Sequence, residues 1–268
     1  MKLYHKSVKT DINGAGTTRI NVCGLQVYKK QTVLTETRIK TTYRVLGIRL
    51  RSKKVPCPKF WLSADEKNNL IEIPNRDINA NIKITGYGNK VIFGTNIKGR
   101  INLTIHGDNN TVYIEGGRSM TLSGHIGFND INTSGCCFHI GKNTLINGMF
   151  FIMLDNNSSI DIGHDCLFSD GIEIWASDTH TIYDDAGNLT NRGRDIKIGN
   201  HVWIGKNVAI LKNSQIADGS IVGMKSLVCK KFTTPRAMLC GVPAKQIKVG
   251  VNWSEQRPEH YAAAHPDK

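Results

Sequence analysis

The fold is decided by residues 195–228, DIKIGNHVWIGKNVAILKNSQIADGSIVGMKSLV. In this stretch a branched aliphatic residue recurs every six positions, and a small or β-branched residue recurs at a second position of the same hexad. The aliphatic positions are Ile198, Ile204, Ile210, Ile216, Val222 and Val228, and the second positions are Val202, Val208, Ser214, Ser220 and Ser226. A period of six fits neither an α-helix nor a simple alternating strand, so each hexad is predicted to form one short strand and a turn.

Three such hexads make one coil of about 18 residues with a triangular cross-section. Stacked coils pair in parallel and bury a column of aliphatic side chains, so each coil depends on its neighbours. The same register occurs in residues 140–152 and 162–174, and looser repeats occur in ITGYGNKVIFG (84–94) and TIHGDNNTVYIEG (104–116). The sequence therefore predicts an all-β domain over residues 80–231, a parallel β-helix of about eight coils.

Three segments depart from this repeat. The polar, glycine-containing segment THTIYDDAGNLTNRGRD, residues 179–195, lies between two in-register stretches and predicts a loop that leaves a corner of the coil. Residues 232–268 contain the proline and glycine residues that are expected to close the β-helix, followed by a polar tail. Residues 1–79 lack the hexad, and we interpret them as a separate basic region for which an α/β structure is one alternative.

Positive charge is concentrated in the basic region. The chain has a formal net charge of +13, and residues 29–59 contain ten basic residues against the single acidic residue Glu36. A basic surface attracts anionic partners, so we expect residues 29–59 to contact an anionic polysaccharide or a membrane surface and not a nucleic acid. A solvated face of an ordinary domain is the alternative interpretation.

The rest of the sequence indicates where the protein is located and whether its cysteines form disulfides or bind a metal. No stretch reaches the roughly 18 apolar residues of a membrane span, and the N-terminus lacks the apolar segment of a signal peptide. We therefore expect a cytoplasmic protein, at most peripheral to the inner face of the membrane. The seven cysteines follow no disulfide framework, and the neighbours Cys136 and Cys137 fall in a predicted strand, so free thiols are expected. A CxxC-type zinc motif is absent from the sequence, and no metal is expected.

Three motifs together resemble a known family. They are IEIWASDTHTIYD (172–184), the repeat of 195–228 and CGVPAKQIK (240–248). These motifs resemble the hexapeptide-repeat acetyltransferases, and most of all the bacterial enzymes that O-acetylate sialic acid capsules and other surface polysaccharides. The resemblance covers residues 80–250. It implies a left-handed parallel β-helix, a homotrimer, a carbohydrate acceptor and acetyl transfer from acetyl-CoA to a sugar hydroxyl.

The resemblance assigns catalysis to His180, with Trp203 and Asp178. Strict register would place His180 six residues after Ile174 in the aliphatic column, where an imidazole loses its hydration, so the register is predicted to break there. In the family the matching histidine is the general base for the acceptor hydroxyl, a role that suits the usual histidine pKa of about 6.5. Strand alternation directs Trp203 outward; the family places it at the active site, and a trimer contact is the alternative. Asp178 could orient the imidazole, or serve as a turn former.

The resemblance also implies where acetyl-CoA binds. The pantetheine arm is expected to pass the C-terminal coils, where glycine permits a close approach and backbone groups can pair with it. Lysines are expected at the phosphates, and Pro243 and Ala244 under the adenine end. The full expected set is Trp203, Gly205, Gly223, Met224, Lys230, Pro243, Ala244, Lys245 and Lys248. At the position where the sialic acid branch carries an aromatic acceptor contact, this chain has Cys229.

The sequence leaves three alternative functions. The acceptor could be small, such as a nucleotide-linked amino sugar or an antibiotic. A γ-type carbonic anhydrase shares the fold and holds zinc with three histidines, but the candidates His164, His180 and His201 lack the short spacing of that site. A non-catalytic β-helix scaffold is the third, and the combination of the SDTH, VWIG and GVPAK motifs argues against it.

Overall fold

A computed structural model describes the backbone of residues 4–10, 16–22, 25–35, 38–45, 48–56, 61–64, 67–74, 77–193 and 195–266, and the side chains within the last three of these ranges. The N-terminal strands are β1 (Tyr4–Thr10), β2 (Gly16–Val22), β3 (Leu25–Thr35), β4 (Arg38–Val45) and β5 (Ile48–Pro56). They form an antiparallel sheet in the order β1-β2-β3-β4-β5. The described part of the basic region, residues 1–79, is therefore built from strands.

The strands that follow are β6 (Trp61–Ala64), β7 (Leu70–Ile73), β8 (Ile78–Thr85), β9 (Lys90–Phe93), β10 (Lys98–His106), β11 (Thr111–Ile114), β12 (Ser119–Ile126), β13 (Cys137–Ile140), β14 (Leu145–Met153), β15 (Ser159–Ile162), β16 (Leu167–Phe168), β17 (Ile172–Trp175), β18 (Ile196–Ile198), β19 (Trp203–Ile204), β20 (Ala209–Leu211), β21 (Gln215–Ile216), β22 (Ile221–Val222), β23 (Leu227–Val228), β24 (Lys231–Phe232), β25 (Ala237–Gly241) and β26 (Ala244–Val249). A short helix, α1 (Pro258–Ala264), follows them.

These strands form the three walls of a parallel β-helix. The first wall stacks β7, β9, β11, β13, β15, β18, β21 and β24 in parallel, and β6 adds to its edge in the antiparallel sense. The second wall stacks β16, β19, β22 and β25, and the third stacks β17, β20 and β23. The long strand β14 bends from the second wall to the third, since its first two residues pair with β16 and later ones with β17. Parallel stacking thus includes β7, while the domain boundary at residue 80 stays a prediction.

The hexad positions point inward as predicted. The six aliphatic positions of residues 195–228 are at most 1% exposed, and the second positions at most 2%. Upstream, Phe138 and Phe151 stack inside the same column with their ring centroids 4.0 Å apart. The column continues beyond the repeat, because Phe232 and Leu239 of the expected closing segment are also buried.

The outer surfaces of the three walls differ in polarity. The outward row of the first wall is mostly polar and consists of Tyr113, His139, Asp161, Lys197, Gln215 and Lys231. The outward row of the second wall contains no charged residue and consists of Leu145, Leu167, Trp203, Ile221 and Met238. The third wall carries Glu173 on its outer side in register with Phe150 and Ala209, and Trp175 in register with Leu211. The outer surface of the second wall is therefore apolar, that of the third is mixed, and that of the first is mostly polar.

A buried asparagine ladder replaces the aliphatic repeat at one corner of the early coils. Asn69, Asn89 and Asn110 lie one coil apart and are at most 5% exposed. The Asn89 side-chain amide donates to Asn69 Oδ1 at 3.0 Å and to the Gly107 carbonyl at 2.9 Å, and its own oxygen accepts from Asn110. A buried polar group without a partner is costly, so each rung depends on the next.

The C-terminal end, the cysteines and α1 complete the described chain. β25 and β26 form an antiparallel hairpin that closes the β-helix.

The five described cysteines are free thiols, with Cys136 buried and Cys137 exposed, as the predicted alternation requires. Cys23 and Cys57 lie outside the described residues. Within the part of the chain that the structure describes, no helix is long and apolar enough to cross a membrane.

Asn89→Ala tests the ladder. The substitution leaves the Asn110 backbone amide without its acceptor, the Asn110 side-chain amide with the Thr133 carbonyl alone, and the Gly107 carbonyl without its side-chain donor. The free energy of unfolding should therefore fall by about 2–4 kcal/mol. Urea denaturation followed by circular dichroism measures this change. The exposed Asn81→Ala on β8 is the matched control and should change it by less than about 0.5 kcal/mol. Equal effects of the two substitutions would contradict the ladder.

Candidate active site

The loop predicted over residues 179–195 leaves the β-helix where the third wall meets the first. β17 ends at Trp175, β18 begins at Ile196, and the residues of 181–190 between them are all exposed. The loop has internal order: Tyr183 and Leu189 form an antiparallel bridge, and the Asp184 carboxylate accepts from two backbone N–H groups. Its return is tied down by Asp195, which accepts from the Ser159 amide and hydroxyl.

His180 lies at the start of this loop, outside the aliphatic column. Thr179 before it has a φ of +69°, which is rare for a β-branched residue and marks the break in the hexad register. The His180 amide donates to the Asp178 carbonyl at 2.7 Å, which makes the turn. The side chain is exposed, and none of the described residues hydrogen-bonds to its imidazole. The ring is therefore accessible to a bound ligand.

Asp178 has partners other than the imidazole. Its carboxylate pairs with Lys212 Nζ at 2.5 Å and accepts from Asn191 Nδ2 at 2.9 Å. Burial opposes ionisation of Asp178, but the hydrogen bonds from Lys212 and Asn191 outweigh it and hold the pKa of this carboxyl below its usual value. In the described chain the Asp178 carboxylate thus anchors the loop, and orientation of the His180 ring by Asp178 stays a prediction.

Lys212 and Asn191 bind the two ends of the loop together. Lys212 Nζ also donates to the Asn191 carbonyl at 2.6 Å, and the Asn191 side chain donates to the His180 carbonyl at 2.7 Å. Lys212 follows Leu211, which pairs with Trp175, so it lies one rung beyond the base of the loop. We call Asp178, Asn191 and Lys212 the loop anchor. Strand register contained this signal, because aligning Trp175 with Leu211 brings residue 212 above the start of the loop.

A small cavity opens beside His180. Its volume is about 130 Å³, and Asp155, Ser177, Asp178, His180, Leu189 and Arg192 are among the residues that line it. The end of the loop packs closely here, since a Cβ on Gly193 would meet an Asp155 carboxylate oxygen at 2.0 Å. Only glycine fits at that position, so the packing fixes the loop against the body of the β-helix.

Trp203 lies on a different side of the prism. It belongs to β19 on the second wall, and its side chain points outward as predicted, with 39% of its surface exposed between two buried neighbours. His180 lies at the corner between the third and first walls. One chain therefore does not bring His180 and Trp203 together.

The C-terminal tail brings a second tryptophan to Trp203. The Trp253 ring stacks on His201 with centroids 4.1 Å apart and lies 6.1 Å from the Trp203 ring. Trp253 Nε1–H donates to the His201 carbonyl at 2.8 Å, and His201 Nε2–H donates to the Trp253 carbonyl at 3.3 Å. Trp253 was not predicted, because no local pattern marks a tail residue that returns to the coils.

The expected acetyl-CoA residues occupy two kinds of position in the last coils. The Gly205 amide donates to the Val222 carbonyl and the Gly223 amide to the Leu239 carbonyl, both at 2.8 Å. Their N–H groups are thus used in coil stacking, and a Cβ on Gly205 would meet the Met224 nitrogen at 2.7 Å. These glycines allow close stacking and are not free donors for pantetheine.

The other residues of that set are mostly exposed. Met224 is 64% exposed, and Lys230 Nζ lies 5.3 Å from the centre of the Phe232 ring. Lys245 and Lys248 lie on β26 and are exposed, as is Pro243. Ala244 is 2% exposed and belongs to the hydrophobic core. Ala244 therefore supports the hairpin from inside, while the lysines face solvent; Cys229 is also exposed.

The histidines are not arranged as a zinc site. Across residues 67–74, 77–193 and 195–266, no group of three or more His, Cys, Asp or Glu side chains could hold a metal ion. His164 Nδ1 pairs with Asp165 at 2.6 Å, and His201 stacks on Trp253. His164, His180 and His201 therefore do not form the set that the carbonic anhydrase alternative requires.

The hexad column and the outward loop define a β-helix of the hexapeptide-repeat class. The family model described as "Bacterial transferase hexapeptide (six repeats)" matches residues 195–230. The crystal structure of the polysialic acid O-acetyltransferase OatWY is similar, with a TM-score of 0.57 and 30% identity over 74% of this chain and 95% of that chain. The chain belongs to the bacterial hexapeptide-repeat transferases, whose β-helix is left-handed.

Two curated relatives are also similar. A polysialic acid O-acetyltransferase of Neisseria meningitidis is 34% identical over 144 residues, which cover 51% of this chain and 62% of that protein. A chloramphenicol acetyltransferase of Morganella morganii is 34% identical over 101 residues, which cover 38% of this chain and 45% of that protein. The matched part of the chain thus spans less than two thirds of the length of either relative.

Lys212→Met tests the loop anchor. The substitution removes the charge that pairs with Asp178 and the donor to Asn191, so amide hydrogen exchange in residues 178–192 should accelerate at least about tenfold, the effect of losing roughly 1.4 kcal/mol of local stability. Because the pKa of Asp178 is lowered, the anchor should persist above the usual value of 3.8 and be lost only as the pH falls through the lowered value.

Lys206→Met is the matched control. Lys206 Nζ lies 3.7 Å from Asp170 in an exposed pair, and such pairs contribute little to stability. Exchange in residues 178–192 should be unchanged in this variant. Unchanged exchange in Lys212→Met as well would show that the loop does not depend on the anchor.

Proposed function

We propose that the protein is an acetyl-CoA-dependent O-acetyltransferase that acts on a hydroxyl of a bacterial surface polysaccharide, with sialic acid as the favoured sugar. The observation that carries the proposal is the exposed imidazole of His180, which has no hydrogen-bond partner among the described residues and stands at the base of an anchored loop in a hexapeptide-repeat transferase. The names of the OatWY structure and of the meningococcal relative support the polysaccharide acceptor.

In the proposed reaction His180 accepts the proton of the sugar hydroxyl as that oxygen attacks the carbonyl carbon of the acetyl thioester. A carbon–oxygen bond forms, the carbon–sulfur bond breaks, and the imidazolium returns the proton to the CoA thiolate. The products are the O-acetyl sugar and free CoA thiol. The loop anchor holds the His180 backbone during both proton transfers, through the hydrogen bond from Asn191 to the His180 carbonyl.

We further propose that the site is completed between subunits of a homotrimer. The apolar outer row of the second wall suits burial against a neighbouring copy, as do Phe150, Trp175 and Leu211 on the mixed outer side of the third wall, where Glu173 accepts a hydrogen bond from Trp175 Nε1. The polar first wall suits solvent. A threefold axis that packs the second wall of one copy against the third wall of the next would bring Trp203 towards the partner's loop. This arrangement accounts for the separation of Trp203 and His180 within one chain.

Acetyl-CoA is proposed to bind along the last coils, near the exposed Met224, with Lys230, Lys245 and Lys248 close to its phosphates. The exposure of these three lysines supports this role, since an ammonium group that meets a phosphate must be accessible. Pro243 is proposed to pack against the adenine end. We place the reaction in the cytoplasm, at the inner face of the membrane.

The basic N-terminal sheet is proposed to hold the anionic acceptor polymer or the membrane surface through residues 29–59. Backbone register sets Lys29 opposite Arg44, and Arg44 opposite Arg49, on neighbouring strands. A concentration of basic residues on neighbouring strands suits an anionic polymer or surface. Lys59 lies outside the described residues.

A second candidate acceptor is a small molecule, such as an antibiotic or a nucleotide-linked amino sugar. The similarity to a chloramphenicol acetyltransferase is the observation that favours it. Thiol release measured with polysialic acid, chloramphenicol and a nucleotide-linked amino sugar in parallel separates the candidates. Transfer to a small acceptor alone would reject the polysaccharide.

His180→Ala tests the catalytic role. Loss of a general base lowers the rate by about 10²- to 10⁴-fold, so kcat for acetyl transfer to polysialic acid should fall by that order while the thermal midpoint hardly changes. A variant that keeps more than about a tenth of wild-type kcat would remove His180 from the mechanism.

A mixing experiment tests the shared site. His180→Ala and Trp203→Ala subunits, each of low activity alone, should recover activity when unfolded together and reassembled, because some interfaces then combine an intact His180 with an intact Trp203. Mixing His180→Ala with His180→Gln is the control and should recover none. No recovery in the first mixture would place the whole site within one chain.

Salt dependence tests the basic sheet. Binding of the full chain to polysialic acid or to anionic vesicles should weaken steeply as the salt concentration rises through physiological values, because exposed charges are screened. Lys29→Ser combined with Arg44→Ser should weaken it at low salt, and a neutral polysaccharide should bind weakly at every salt concentration. Binding that ignores salt would refute the electrostatic contact.

A further inference from the structure

The C-terminal tail forms a strap that is tied to the β-helix at two places. We call residues 251–257 the strap. Trp253 makes two reciprocal hydrogen bonds and a ring stack with His201, and Glu255 makes a two-pronged ion pair with Arg118, of which the second contact measures 2.8 Å. The hydrogen bond from Arg118 holds the pKa of Glu255 below its usual value, so this carboxylate is charged at neutral pH. These contacts hold the strap against the β-helix.

A groove lies between the strap and α1. Its volume is about 640 Å³, which is large enough for one or more sugar rings. The residues that shape it include Asn252, Trp253, Gln256, Pro258, Tyr261 and His265. No carboxylate, ammonium or guanidinium group is found among the described residues that line this groove.

The groove has the chemistry that sugars require. The C–H faces of a pyranose ring pack on aromatic rings, and Trp253 and Tyr261 supply such rings, the latter stacked on His265 at 4.2 Å. Sugar hydroxyls need donors and acceptors, and the side-chain amides of Asn252 and Gln256 have no hydrogen-bond partner within the described chain. With no cationic side chain among its described lining residues, the groove can contact the ring faces and hydroxyls of a sugar, while the charges of an anionic acceptor polymer are left to the basic N-terminal sheet.

The position of the groove ties it to the reaction. Trp253 lines the groove and lies 6.1 Å from the ring of Trp203, the tryptophan of the proposed active site. Cys229, where the sialic acid branch is expected to carry an aromatic acceptor contact, offers no ring. Trp253 of the strap and Tyr261 of α1 supply aromatic rings from a different part of the chain.

We infer that the groove between the strap and α1 binds sugar rings of the acceptor polysaccharide and presents the chain of sugars to the active site. The inference rests on the proposed O-acetyltransferase function and adds the acceptor subsite to it. Trp253 and Tyr261 form the ring contacts, and Gln256 bonds to hydroxyls. The Arg118–Glu255 pair positions the strap.

Tyr261→Ala is the main test, because Tyr261 lies on α1 and is not part of the strap ties. KM for polysialic acid should rise roughly two- to tenfold, the effect of losing one ring contact, while KM for acetyl-CoA stays at its wild-type value. Trp253→Ala should raise the acceptor KM at least as much. Tyr87→Ala removes a tyrosine that is 60% exposed outside the groove and should leave both constants unchanged.

Direct binding separates this inference from the proposed function. An oligosaccharide of sialic acid, titrated without acetyl-CoA and followed by tryptophan fluorescence, should bind wild-type protein and bind Tyr261→Ala more weakly. Equal affinities and equal acceptor KM values would overturn the groove while acetyl transfer itself persists. A rise in KM for acetyl-CoA alone, or loss of the oligomer in Tyr261→Ala by sedimentation, would also overturn it, by making the groove a donor site or a subunit contact. Absence of transfer by the wild-type enzyme, with oligosaccharide binding intact, would instead reject the proposed function alone.

Discussion

The whole molecule depends on parallel pairing between coils that share one buried aliphatic column. Each coil must place a branched residue above the one before it, so a slip of one residue would turn the column outward. The constraint is visible at the loop, where Ser159 meets Asp195, 36 residues along the chain, whereas Asn200 meets Asp218 after only 18. The extra residues are pushed out of the prism as a loop, and the stacking resumes in register.

The position of His180, the candidate base, follows from the way the loop leaves the β-helix. His180 stands where the chain leaves the column, and Thr179 adopts a left-handed conformation to make the exit. The loop anchor then closes the exit with a lysine of the next coil. The anchor contacts the backbone of His180 and not its ring, because the charges of Asp178 and Lys212 pair with each other. The imidazole is therefore left accessible to a ligand.

Coil stacking also explains why Trp203 and His180 lie apart within one chain. Strands of one wall share a side of the prism, so the second-wall residue Trp203 cannot turn towards a loop at the opposite corner. The elements outside the repeat add what the walls lack. The antiparallel N-terminal sheet contains the cluster of basic residues, and the strap brings the Trp253 ring to Trp203. A repetitive core thus supplies rigid positions, while the segments at its two ends supply the surfaces proposed for acceptor recognition.

The sequence by itself determined the features that depend on local period. The hexad predicted the parallel β-helix, the buried positions, the outward loop and the outward Trp203, because a side chain's direction on a short strand follows from its place in the repeat. The site residues were predicted from the resemblance of short motifs to those of a known family, and their catalytic and binding roles stay predictions. The asparagine ladder also had a sequence signal, since Asn69, Asn89 and Asn110 recur about one coil apart, but composition alone did not distinguish a ladder from turns. Only the tertiary structure decided the partners of Asp178, the polarity of each wall and the strap that joins Arg118 to Glu255, 137 residues apart. Such contacts join coils and ends that are distant along the chain, and no local pattern of residues specifies which side chains will meet there.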